Sequence, residues 1–74
     1  MNKGTELLEI IAAASAKDWH NVKVDYFAGW HDAWQISAVK KDVRWLIGYS
    51  TDTEGAGIAA HRARVFLGMN QSSN

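Results

Sequence analysis

The stretch Trp34–Tyr49 leaves a chain of this kind few choices. Trp34, Ile36 and Ala38 alternate with Gln35, Ser37 and Lys40, the period-two pattern of a half-buried strand. After the short polar break Lys40-Lys41-Asp42 the alternation resumes, with Val43, Trp45, Ile47 and Tyr49 set against Arg44, Leu46, Gly48 and Ser50. A break this short closes an antiparallel hairpin. Two tryptophans point the same way in it, so Trp34 and Trp45 are expected to be largely buried and to supply much of the core.

The remaining segments are read around that hairpin. Thr5 is placed to cap a helix over Glu6–Lys17, with Glu6 and Glu9 near its positive end. On a helical wheel Leu7, Leu8, Ile11, Ala14 and Trp19 share one side, opposite Glu6, Glu9, Ala13 and Lys17. Val22–Ala28 alternates as a first strand, and Gly29-Trp30-His31-Asp32 makes the turn out of it. Thr51 and Glu54 have capping-box spacing ahead of a second helix, which is expected to be firm from Ala56 or Ile58 because Gly55 and Gly57 weaken its start. Gly68 is its expected left-handed cap, with Met69 folding back. Ala56, Ala59, Ala60 and Ala63 form a smooth stripe with Phe66 and Leu67, suited to lie on the larger side chains of a sheet. The expected fold is α+β: a three-stranded antiparallel meander between an N-terminal and a C-terminal helix, in the order α-β-β-β-α, with both helices on one sheet face.

Length and composition narrow the function. At 74 residues the chain fits one small domain, with residues 1–4 and 70–74 expected to be flexible. It has no cysteine, which excludes disulfides and thiolate metal sites, and the large residues on offer are four Trp, two Tyr and two Phe. Lys+Arg and Asp+Glu are balanced at 8 each, without the basic excess of a chain that lives on phosphate. No apolar run is long enough to span a membrane. The apolar stretch 7–14 is not read as an export signal, because Lys17 and Asp18 stand where cleavage would fall. A cytoplasmic location is expected, and a stand-alone domain of this size suits the small proteins that phages and mobile elements encode.

No catalytic, cofactor or metal site is expected. The serines and the 3 histidines form no nucleophile–base–orienter set. His20, His31 and Asp32 are expected near one end of the sheet, but not at a ligand spacing that pre-forms a metal site. Gly55-Ala56-Gly57 lacks the Lys-Ser/Thr of a phosphate loop and serves to turn the chain. The residues that stand out are apolar and outward. On the sheet face away from the helices, Phe27 and Leu46 lie among Lys23, Asp25, Gln35, Ser37 and Arg44, the mixture of an interface. Trp30 sits on a turn, while Ile58 and Val65 stack two turns apart on the back of the second helix with His61 and Arg62 between them. Ile58, His61, Arg62, Val65, Phe27, Arg44, Leu46 and Trp30 are therefore the expected contacts to a protein partner or to a second copy in a homodimer.

The alternative is a nucleic acid. The α-β-β-β-α order resembles the double-stranded-RNA-binding domain over almost the whole chain. That resemblance implies RNA contacts from Glu6 or Glu9 on the first helix, from Gly29, Trp30 and His31 in the loop, and from His61, Arg62 and Arg64 on the last helix. The order of strands followed by an alanine-rich helix also looks like the plant-type AP2 DNA-binding fold, which implies groove reading by the sheet, with Lys23 and Arg44 as its cations. The loop has no proline, and Ala60-His61 stands where the RNA-binding pattern has a lysine pair. A small non-enzymatic interaction protein or inhibitor is accordingly the first expectation.

Overall fold

In the computed structural model, which describes the backbone of residues 3–68 and side chains from Leu7 onward, the elements follow the expected order. They are α1 (Lys3–Ala16), β1 (His20–Tyr26), β2 (Trp34–Lys40), β3 (Val43–Ser50) and α2 (Ala56–Phe66). The strands form one antiparallel sheet in the order β1-β2-β3. Both helices lie on one of its faces and run in the same sense, with Leu7 and Ile10 beside Ala56 and Ala60, Glu9 reaching Arg64, and Lys17 beside Gly68.

α1 begins at Lys3, so Thr5 lies inside it rather than capping it, and whatever precedes Lys3 is outside the described residues. Lys3 and Gly4, expected to be frayed, are helical, while the expected tail over 70–74 and the fold-back of Met69 also fall outside. The helix ends in a Schellman arrangement: the Trp19 N–H donates to the Ala14 carbonyl (2.8 Å) and the Asp18 N–H to that of Ser15 (3.3 Å). Asp18 takes the left-handed position usually given to glycine, with φ 67. This turn delivers Trp19 onto the core at the start of β1. The inward face of α1 is rotated from the expected one. Ile10 and Ala14 are buried, whereas Leu8 is 67% exposed and Ile11 also reaches solvent.

Two bulges tune the sheet. In β1 the pairing jumps from His20↔Val39 to Lys23↔Ser37, and Asn21 absorbs the extra residue at φ 55. In β3 it jumps from Gly48↔Ile36 to Leu46↔Ser37, leaving Ile47 without a partner on β2. The second bulge corrects the hairpin's expected alternation. Trp45 and Ile47 face the helices, but so do Gly48 and Ser50, and Tyr49 joins Gln35 on the open face. Tyr49 was expected beside Trp45. The turn Lys41-Asp42 has positive φ at both residues (54 and 65), the geometry that matches the twist of a two-residue hairpin.

The core is built of small residues. Among the described residues its buried hydrophobics are Ile10, Ile36, Ile47 and Leu67 together with six alanines, Ala14, Ala33, Ala38, Ala59, Ala60 and Ala63. Small meets small where α2 crosses β3: a Cβ on Gly48 would collide with the Ala59 carbonyl and come within 2.8 Å of Ala63 Cβ. The alanine stripe therefore lets the helix press onto a glycine, not onto the large side chains expected opposite it. The tryptophans sit further out. Trp34 is half-buried against Tyr26 (ring centroids 4.7 Å apart), and Trp45 is 50% exposed, so neither forms the deep core expected of the hairpin.

Candidate interaction surfaces

Ahead of α2, Thr51 and Glu54 form the reciprocal capping pair that their spacing suggests. The Thr51 N–H donates to Glu54 Oε1 (2.9 Å) and the Glu54 N–H to Thr51 Oγ1 (3.1 Å). The pair closes a separate turn rather than capping the helix, because Gly55 at φ 87 breaks the chain before Ala56. Buried Ser50 donates to the Gly55 carbonyl (2.6 Å) and fixes the start of α2 to the end of β3. Arg62 then reaches back from α2 with a two-pronged bond to Glu54, both contacts 3.1 Å, and a third to the Tyr49 carbonyl at 2.8 Å. Its guanidinium also stands 5.3 Å from the Tyr49 ring centre. The Arg62 bonds, ahead of the Thr51 N–H, hold the Glu54 carboxyl below its ordinary pKa. Arg62 thus ties the edge of β3 to α2 and is only partly available to a partner.

The other expected contacts fall into three groups on different sides of the molecule. Ile58, His61 and Val65 are exposed on the outer side of α2, and α1 leaves Val65 55% open. Arg44 and Leu46 lie on the open face of the sheet. There Arg44 Nη1 donates to Ser37 Oγ (2.8 Å) and to the Asn21 carbonyl (3.0 Å), strapping β3 across β2 to the β1 bulge. Phe27 and Trp30 leave the sheet at the β1–β2 loop, their ring centres 6.1 Å apart, with Trp30 67% exposed and His31 beside it. In the same end of the molecule the Tyr26 hydroxyl donates to Asp52 Oδ2 (2.9 Å), which raises its pKa above the ordinary tyrosine value. Arg64 approaches Glu9 at 4.0 Å, joining the two helices. The arginine and the glutamate that the RNA resemblance would set against phosphate therefore face each other.

The histidines do not converge. His20 opens β1 and His31 follows its far end, so the expected proximity of His20, His31 and Asp32 is not found. Among the described residues no three His, Asp or Glu stand close enough to hold a metal ion. Two openings exist. A cleft of about 130 Å³ between α1, α2 and the sheet is walled by Leu7, Ile10, Val24, Trp34, Ile36, Ala56 and Ala60 and offers no polar group. A wider groove of about 290 Å³ at the opposite end is lined by Trp19, Lys40, Lys41, Trp45 and Phe66. Sequence reasoning missed this groove, since it depends on Trp19 swinging in at the end of α1 and on Trp45 pairing with core residue Ala38. No family model, no curated protein and no solved structure matches this chain.

Proposed function

We propose that this chain is a non-enzymatic interaction protein or inhibitor that acts by occupying the surface of a protein partner. The observation that carries this is the inversion of its apolar residues. The core is largely alanine, while Leu8, Trp30, Trp45, Val65 and Phe66 each keep half or more of their surface in solvent. A small domain that needed those side chains only for its own stability would turn them inward, where each contributes about 1.5–3 kcal/mol on full burial. Outward aromatic and aliphatic groups among mixed charges have the composition of the centre of a protein interface. The cations support the same choice over a phosphate partner. Arg62 and Arg64 are engaged by Glu54 and Glu9, and Arg44 is spent on the sheet.

The test is retention by the immobilised chain. A protein should be captured from lysate and stay bound after nuclease treatment and in high salt, or the chain should sediment as a dimer. Loss of every captured protein on nuclease treatment, or a sub-micromolar complex with duplex RNA or DNA that weakens steeply with salt, contradicts the proposal.

A further inference from the structure

The groove at the end of the molecule where both helices finish contains none of the contact residues expected from the sequence. Trp19 is its floor, meeting Trp45 edge-on at 6.4 Å and Phe66 edge-on at 5.5 Å. Lys40 places its ammonium 5.2 Å from the Trp19 ring centre, and Lys41 completes the rim. Each wall is fixed by the end of a packed element: the Schellman turn sets Trp19, the tight hairpin sets the lysines, and the last turn of α2 sets Phe66. The groove is preorganised, apolar inside and cationic at the edge, and no acidic side chain lines it among the described residues.

Charge says what fits it. The chain is neutral overall, but its charges are separated along the strands. The groove end holds Lys17, Lys40, Lys41 and Arg44 against Asp18 and Asp42, whereas the other end holds Asp25, Asp32, Asp52 and Glu54 against Lys23 and Arg62. Such a field draws an acidic partner to the groove end and repels it from the other. Lys41 adds a second sign. It occupies a left-handed position (φ 54) that asparagine or glycine would take with less strain, at the rim of the groove. We infer that the groove seats one bulky apolar side chain from an acidic segment of a protein partner, with Lys40 and Lys41 pairing the carboxylates that flank it. This rests on the protein-binding function proposed above and names one anchoring contact in it and the chemistry of the partner segment that fills it.

The probe is a capped heptapeptide of aspartates and glutamates around one central phenylalanine. It is titrated into isotope-labelled protein and followed by the indole N–H resonances. The expected result is a saturable shift of Trp19 and Trp45 with Trp30 unmoved. Affinity should fall about tenfold or more when the acids are replaced by their amides, when the phenylalanine becomes alanine, or in Lys41→Glu. The double variant Lys40→Glu, Lys41→Glu should abolish the shift while the melting curve stays cooperative. If the indoles do not move, if the amide peptide binds equally well, or if a thymidine oligonucleotide binds the groove more tightly than the peptide, the inference is overturned. Such a failure with captured protein still retained on the immobilised chain removes only the groove. Loss of that retention on nuclease treatment, with the chain sedimenting as a monomer, by contrast removes the wider proposal.

Discussion

Among the described glycines, Gly48 has the least room for a side chain. Its φ is not the reason; the reason is contact, because an added Cβ meets the Ala59 carbonyl and the backbone and Cβ of Ala63, none of which can move without shifting α2. Gly48→Ala is expected to cost roughly 1–3 kcal/mol or more, a large fraction of the stability of so small a domain. Thermal melting followed by circular dichroism would show it, and an unchanged midpoint would mean that α2 does not sit on β3 as described. Glu54 gives a second test at this scale. Its carboxyl is held below the ordinary range by Arg62, so the pair's contribution is present above the ordinary glutamate pKa and lost as pH falls through the lower folded value. Wild type and Glu54→Gln should therefore differ in melting temperature at neutral pH and converge as the pH falls through and below the ordinary glutamate range. A constant gap across that range would contradict the pairing.

Among the elements, the hairpin was the most legible and also the source of the main error. Period two located β2 and β3 and both faces near the turn, because Trp45 and Ala38 are true cross-strand partners. It failed at Ile47, where a bulge reversed Gly48, Ser50 and Tyr49; the signal on offer was Gly48 itself, since a lone glycine inside a strand pattern marks a bulge or a close backbone approach. The ends of α1 and α2 divide in the same way. Gly68 announced itself as a left-handed cap, whereas Asp18 in the equivalent place after α1 did not. The expected contact residues were found exposed or half-exposed one by one, but their separation onto three sides depends on the tertiary arrangement. The turn between β2 and β3 carries its own prediction. Replacing Lys41 by Asn and Asp42 by Gly supplies residues that favour positive φ and should raise stability by about 1 kcal/mol. A denaturant midpoint that falls instead would show that these side chains hold the hairpin together.

For the whole molecule, the arrangement is a thin slab, 33 × 33 × 19 Å between Cα extremes, with a sheet on one side and two parallel helices on the other. Its balanced composition conceals a cationic end and an acidic end, which only the direction of the strands and helices reveals. The alanine core holds the layers together, and the larger apolar groups are left to the surface. The most direct test of that division is Val65→Glu, at a position 55% exposed on the outer side of α2. The variant's circular dichroism and melting should match those of the wild type, while its association, by sedimentation or by retention of the captured partner, is abolished. If Val65→Glu unfolds the domain, or folds and associates as well as the wild type, the outer side of α2 is not a contact surface.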